Sequence, residues 1–494
     1  MRPRENVLFV TFDQLRADVV DGALHGLVPT PSLDRLAAEG TLYASHWCDA
    51  APCGPSRASL LTGLHAFNHR VVRNGAPLAR HHATLATELR KLGCEPLLFG
   101  YADQAPDPAD LHPADPDRAT YEQPARGFRE IVEMRFEAPM AWIGALRARG
   151  YALPEPLPER VAELYRPVSP DGAPCIADPA LYRAEDSDTA FLTDRTLEAL
   201  DARRDGQWVA HLTYIRPHPP LVAPAPWNRA VAPGDLPPPG GPFSPHPFLD
   251  AWFSEPSQFG LFHGFDGDCA GLAPETVAAL RAVYLGLVAE ADHHFGRVLD
   301  WLDERGLAER TLVVATADHG EMLGEGGLWG KDTVFAAAHR VPLVIRDPRV
   351  EGGKRVARVT RSIDLAPTIL RRLGAAAPAA MDGAPLAPVD DREDVALTEI
   401  DFAHPREPTR FQRALGLDAD RCNAAVLRDA RWTCVHFNGG LAPMLFDRAE
   451  DPSERRDLAA APGGAAEVAR LRRIMLDLRM RRADRRLTGL AIGA

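Results

Sequence analysis

Two apolar runs, Asn6–Phe12 (NVLFVTF) and Thr311–Ala317 (TLVVATA), decide the fold, and each ends at an aspartate, Asp13 and Asp318. Runs of this length with no polar face predict strands buried on both sides, as in a parallel sheet covered by helices. Ahead of the second run, apolar residues at 280, 284, 287, 288, 291, 295, 298, 299 and 302 keep helical spacing, which predicts a long helix between Pro274 and Gly306 packed on that sheet. Thr30-Pro31 followed by SLDRLAAEG reads as a helix with an N-cap at Thr30, proline at the first position and Gly40 as its stop. Thr84–Gly93 repeats that logic. Strands alternating with helices predict a doubly wound α/β sheet, and in such sheets ligands bind outside the carboxyl ends of the strands. Asp13-Gln14 and Asp318-His319 therefore stand on functional ground.

A chain of 494 residues exceeds the roughly 250–300 that one hydrophobic core holds, so a large unit and a smaller one are expected. The first is placed at residues 1–375. After an alanine- and proline-rich linker, Ala375–Pro388, a smaller α+β domain is placed at 390–494. Within it Ala424–Asp447 reads as short strands with a hairpin at Asn438-Gly439-Gly440. The basic segment Glu467–Leu487 has helical spacing at Val468, Leu471, Met475 and Leu478, fitting a packing or oligomer helix. Arg216–Pro247, dense in proline, is expected to be an ordered loop or lid.

The net charge of -12, from 68 acidic and 56 basic residues, offers no basic face for nucleic acid. No apolar run reaches the roughly 18–20 residues of a membrane span, and Met1–Asn6 lead straight into a strand, so no membrane partner and a cytoplasmic location are expected. Seven cysteines, at 48, 53, 94, 175, 269, 422 and 434, are too sparse for a disulfide framework and are expected to be reduced.

The chemistry concentrates in Pro52–Gly63, PCGPSRASLLTG, where a cysteine in a Gly/Pro turn opens a short helix whose first turn carries Arg57. A helix N-terminus gathers free N–H groups and a positive dipole end, suited to an anionic substrate. This stretch resembles the CxPSRxxxLTG motif of sulfatases and their phosphonate hydrolase relatives, in the alkaline phosphatase superfamily. The resemblance runs from Asn6 to about Gly374 and returns at Leu445–Leu458 (LFDRAEDPSERRDL). It implies an alkaline-phosphatase-like α/β fold, a doubly wound mixed sheet flanked by helices, with a smaller C-terminal α+β domain. In that family the cysteine, here Cys53, is oxidised by a separate formylglycine-generating enzyme. The hydrated formylglycine supplies one hydroxyl as nucleophile and a second as the route for expelling the product.

By the same resemblance one divalent metal is held by Asp13, Gln14, Asp318 and His319, completed by an oxygen of the formylglycine at Cys53. Many sulfatases have aspartate where Gln14 stands and asparagine where His319 stands; this pair resembles the phosphonate monoester hydrolase branch. Fewer carboxylates and an imidazole favour Mn²⁺ first and Ca²⁺ second. Lys331, in GLWGKD, resembles the family lysine that holds the substrate anion. His218, in TYIRPHPP, resembles the histidine that contacts or protonates the leaving group near its normal pKa. Asn74, in VVRNGAPL, and Tyr101, in FGY, resemble substrate-binding residues of the phosphonate hydrolases. Asp103 departs from that branch, which has threonine there, and a carboxylate beside an anionic substrate would repel it unless neutralised or turned away.

The expected function is metal-dependent hydrolysis of phosphonate monoesters and phosphodiesters, with promiscuous sulfate ester hydrolysis. A dedicated (aryl)sulfatase with the same nucleophile is the alternative. A noncatalytic binding protein on the same fold and a serine- or threonine-based zinc phosphatase are two further readings; the second needs another Asp/His set that the sequence does not place. A small anionic ester as substrate and a homo-oligomer, such as a tetramer, are the implied partners.

Overall fold

Strands β1 (Asn6–Phe12) and β7 (Thr311–Ala317) have the bounds read from the sequence and pair in parallel, Asn6 opposite Thr311 and Phe12 opposite Ala317. The computed structural model describes residues 5–156, 161–169, 175–386 and 394–483. Around this pair it sets β2 (Thr41–Trp47), β4 (Pro96–Gly100), β5 (Arg129–Glu133), β6 (Val209–Tyr214), β8 (Leu343–Arg346) and β9 (Lys354–Arg361). The eight-stranded order is β5-β4-β6-β1-β7-β8-β2-β9. Only β8 runs against its neighbours, so the sheet is mixed as expected, with an unbroken parallel block from β5 to β7.

Period-two alternation sends the side chains of β1 to both faces. Leu8, Val10 and Phe12 join the cluster around the Pro274–Glu304 helix, whose nine helically spaced apolar positions from Leu280 to Leu302 are all buried. Val7 and Phe9 face the other way, onto Leu60 and Leu61 of the Cys53–Thr62 helix and Leu365, Ile369 and Leu370 of the Leu365–Arg372 helix. Truncating a fully buried leucine in either layer, such as Leu299 or Leu370, costs about 2–5 kcal/mol.

The helix read after Thr30 spans Pro31–Glu39, but Thr30 does not cap it with its side chain. Asp292, from the long helix, does so instead: its carboxylate accepts from the N–H groups of Ser32 (3.0 Å) and Leu33 (2.8 Å). A carboxylate at a helix N-terminus satisfies free N–H groups and meets the positive dipole end, and it outcompetes the local hydroxyl. At Leu85–Lys91 the local signal holds, with Thr84 and Thr87 forming a reciprocal capping box.

The C-terminal strands β10 (Ala396–Asp401), β11 (Asn423–Arg428), β12 (Trp432–Phe437) and β13 (Met444–Asp447) form an antiparallel sheet. The sheet's far edge is β3 (Ala50–Ala51), which pairs in parallel with β10 just before Cys53. The Gly464–Arg482 helix covers this sheet, with Val468, Leu471, Met475 and Leu478 on Leu397, Leu427, Cys434 and Leu445. The remainder of the expected helix to Leu487, the expected domain start at 390 and the end of the linker at 387–388 lie outside the described residues. Arg216–Pro247 holds two short turns, Trp227–Arg229 and Pro233–Asp235, and buries Leu221, Val222, Ala223 and Val231, so it is an ordered loop. Among the described residues no helix is long and apolar enough to cross a membrane.

Candidate active site

Four adjacent parallel strands deliver residues to one rim of the large sheet: Tyr101 after β4, His218 after β6, Asp13 and Gln14 after β1, and Asp318 and His319 after β7. The Cys53–Thr62 helix brings its N-terminus to the same rim. Cys53 Sγ lies 3.1 Å from His319 Nε2 and 4.0 Å from Asp13 Oδ1. One donor atom each from Asp13, Cys53, Asp318 and His319 fall within 4.8 Å of one another, and all four residues are buried. His319 Nδ1 donates to the carbonyl of Gly320 at 3.0 Å, which leaves the Nε2 lone pair facing the cluster. Two carboxylates, an imidazole nitrogen and a fourth donor at position 53 fit a divalent cation.

Arg57 braces the carboxylates from behind. Its Nη2 donates to Asp13 Oδ2 (3.0 Å), its Nε to Asp318 Oδ2 (2.9 Å) and its Nη1 to the Tyr101 carbonyl (3.1 Å), while the guanidinium lies 4.2 Å above the Tyr101 ring. The Tyr101 hydroxyl also donates to the Asp13 carboxylate. A buried guanidinium needs this pairing, and the pairing fixes both carboxylates in turn. Burial works to raise the Asp13 carboxyl, but the cationic groups facing it, Arg57 and Lys331 among them, hold it below the usual carboxylate range. Burial pushes the Cys53 thiol well above its ordinary range, with Asp13 adding to the shift, so the unmodified side chain is a neutral thiol.

Gln14 adopts a left-handed backbone conformation, φ 67°, uncommon for a residue with a Cβ. Its N–H donates to Asp318 Oδ1 at 3.1 Å and its side-chain amide nitrogen donates to Glu321. Its amide oxygen accepts from Lys331 Nζ at 2.7 Å, and the same ammonium lies 3.0 Å from His218 Nε2. Asp13, with Asp332 and Asp318 adding to it, holds the Lys331 ammonium charged against the cost of burial. His218 Nδ1 donates to the Pro219 carbonyl at 2.6 Å, so its Nε2 is the acceptor in the contact with Lys331.

That contact corrects one expectation. His218 does not titrate near the ordinary histidine value; burial, reinforced by Lys331, pushes it down to about 3. The ring is neutral, and the nearby proton-bearing group is Lys331.

Asn74 Oδ1 accepts from the N–H of Gly54 at 2.9 Å, leaving its amide nitrogen as the group able to donate to a substrate. A Cβ at position 54 would sit 3.1 Å from both Asn74 Oδ1 and the Asp103 carbonyl, a tight approach that glycine avoids. Asp103 is buried with its carboxyl 3.7 Å from Arg57 Nε. Burial, with Asp13 and Glu122 adding to it, raises that carboxyl well above its usual range despite Arg57, so it is neutral rather than a repelling charge. Sequence reasoning missed Glu321. It lies three residues past Asp318, holds the Gln14 amide and accepts from the N–H groups of Leu323 (2.8 Å) and Gly330 (2.6 Å).

Residues 5–375 match the Sulfatase family model. The chain belongs to the sulfatase family. Residues 324–481 also match the model described as N-sulphoglucosamine sulphohydrolase, C-terminal. Among solved sulfatase-fold structures, the phosphonate monoester hydrolase of Silicibacter pomeroyi is 46% identical, with a TM-score of 0.92 over 98% of this chain and 97% of that one. The phosphonate monoester hydrolase of Agrobacterium radiobacter is 36% identical, with a TM-score of 0.90 over the same shares. The multifunctional alkaline phosphatase superfamily protein PehA of Trinickia caryophylli is 35% identical over 98% of this chain and 97% of its own length. This sulfatase-family chain is an ester hydrolase.

Proposed function

We propose that the protein hydrolyses phosphonate monoesters and phosphodiesters, and sulfate esters as a secondary activity, with a formylglycine made from Cys53 by a formylglycine-generating enzyme. The observation that carries this reading is the convergence of Cys53 with Asp13, Asp318 and His319 on one sheet rim, in a chain that matches phosphonate monoester hydrolases along its whole length.

Asp13, Gln14, Asp318 and His319 would hold the divalent metal together with position 53, Mn²⁺ ahead of Ca²⁺ because the set includes an imidazole and an amide. Formylglycine and metal together supply an activated hydroxyl nucleophile and polarise the ester. The chain's own residues do the rest. Arg57 and the Tyr101 hydroxyl hold the two carboxylates in place. The Asn74 amide donates to a substrate oxygen. Lys331, oriented by Gln14 and the neutral His218, places a fixed ammonium beside the anion and its leaving oxygen, where charge builds as the ester bond breaks.

The same reading places the catalytic unit at 1–375 and the smaller α+β unit at 390–494. It also takes the protein as a homo-oligomer that uses the C-terminal helix, on which Leu476 and Met480 are 57% and 61% exposed.

The deciding experiment compares kcat/KM for an aryl phosphonate monoester, an aryl phosphodiester and the matching aryl sulfate, on protein produced with the maturing enzyme. A clear preference for the sulfate replaces this proposal with a dedicated sulfatase. Peptide mass spectrometry across Cys53 tests the nucleophile; an unmodified thiol in fully active protein rejects it.

A further inference from the structure

Two side chains of the C-terminal sheet region, Arg428 at the end of β11 and Glu454 in the turn after β13, are completely buried and reach toward the active site. Arg428 Nη2 donates to the Val334 carbonyl at 2.8 Å and lies 3.3 Å from His339 Nδ1, with its guanidinium 4.5 Å above the Trp47 ring. Glu454 Oε2 accepts from the N–H of Ala336 at 2.6 Å, and its Oε1 accepts from the Thr433 hydroxyl at 2.5 Å and lies 3.7 Å from Arg428 Nε. Glu454 makes these contacts from a left-handed backbone, φ 56°, a conformation that a residue with a Cβ keeps only when its surroundings enforce it.

The segment these two residues grip, 333–339, touches the catalytic machinery on its other side. It begins two residues after Lys331, and the N–H of Thr333 donates to the Lys331 carbonyl at 2.8 Å. The N–H groups of Gly320 and Glu321 donate to the carbonyls of Ala338 (2.8 Å) and Ala337 (3.1 Å). The approach is so close that a Cβ at Gly320 would fall 2.1 Å from the Ala337 oxygen. Gly320 follows His319 directly, and Glu321 holds Gln14. One short segment thus ties Arg428 and Glu454 to the turn carrying Asp318 and His319 and to the strand of chain carrying Lys331.

We propose that Glu454 and Arg428 are positioning residues for the reaction: the C-terminal unit sets the placement of Lys331 and of the Asp318-His319 turn through segment 333–339. This rests on the roles given above to Lys331, Asp318 and His319. It also gives the DPSER part of the C-terminal motif a task in catalysis rather than in packing alone.

The test compares Glu454→Asp, which keeps the charge but loses the reach to Ala336, with Glu454→Gln, which keeps the reach and loses the charge. Each is measured for urea unfolding, for kcat and KM on the aryl phosphonate and aryl sulfate esters, and for amide hydrogen exchange across 318–339. Glu454→Asp should unfold cooperatively, lose about tenfold or more in kcat while KM changes less than about threefold, and exchange faster at 320–321 and 333–339. Glu454→Gln should recover most of that loss. Wild-type kcat with wild-type exchange in Glu454→Asp overturns the proposal, as does a kcat loss no larger than the loss of folded protein. If neither ester is turned over by the parent protein, the proposed reaction fails, and the exchange pattern still decides whether this linkage exists.

Discussion

Cys53 Sγ and His319 Nε2 are 3.1 Å apart, and the imidazole is aimed there by the bond from its Nδ1 to the Gly320 carbonyl. If His319 is a metal ligand, His319→Ala should remove most of the stabilisation that Mn²⁺ gives. A hundredfold excess of metal over its Kd is worth about 2.7 kcal/mol to a folded protein. The midpoint of thermal unfolding should therefore rise with added Mn²⁺ for the parent and stay nearly flat for the variant. An equal rise in both removes His319 from the ligand set.

Lys331 sits between Gln14 Oε1 and His218 Nε2, a compact ammonium in a fixed cradle. Lys331→Ala should cost about 10²–10³ in kcat, the loss typical of removing a preorganised group that stabilises developing charge. Lys331→Arg should not restore it, since the planar guanidinium is larger and directs its donors differently. Steady-state kinetics on the preferred ester reads both. Arginine restoring full activity would mean that charge alone is required.

Much of this fold is legible in the sequence. Strands β1 and β7 and the Pro274–Glu304 helix follow from apolar periodicity, and Asp13, Asp318 and His319 at the strand ends lie together with Cys53. What the sequence could not reveal depends on contacts between distant segments. Asp292 replaces Thr30 as a helix cap, β3 adds two residues from before Cys53 to the C-terminal sheet, and burial sets the charge states of His218 and Asp103. Glu321 belongs with these: an isolated glutamate past a strand end reads as surface charge until its partners Gln14, Leu323 and Gly330 are seen. Glu321→Gln should weaken metal affinity or activity by about 10–100-fold, as loss of a residue that orients a ligand does. Metal titration followed by kinetics checks it, and an unaffected variant reduces Glu321 to a loop anchor.

Asp103 tests the reading of charge at the site. Because burial holds its carboxyl protonated beside Arg57, the neutral isostere should be tolerated. Asp103→Asn is expected to keep kcat/KM within about threefold on an anionic ester. If activity falls tenfold or more, Asp103 works as an anion, and the preference for anionic substrates needs another source of positive charge.

His211, on β6 beneath the site, gives a pH signature that is independent of catalysis. Its Nε2 lies 3.0 Å from the Thr11 hydroxyl, its ring stacks on Phe9 at 4.4 Å, and burial, with Arg57 adding to it, depresses its pKa from 6.5 to about 3. The folded value is the lower one, so the unfolded chain binds the extra proton. The stabilisation is complete above about pH 6.5 and is lost as pH falls toward 3. At pH 5 the linkage amounts to about 2 kcal/mol. His211→Phe keeps the stack on Phe9 and removes the titration, so its unfolding free energy relative to the parent should improve by about that much between pH 7.5 and pH 5. Urea midpoints at the two pH values measure it, and a difference that does not change with pH would mean that His211 is protonated inside the folded protein.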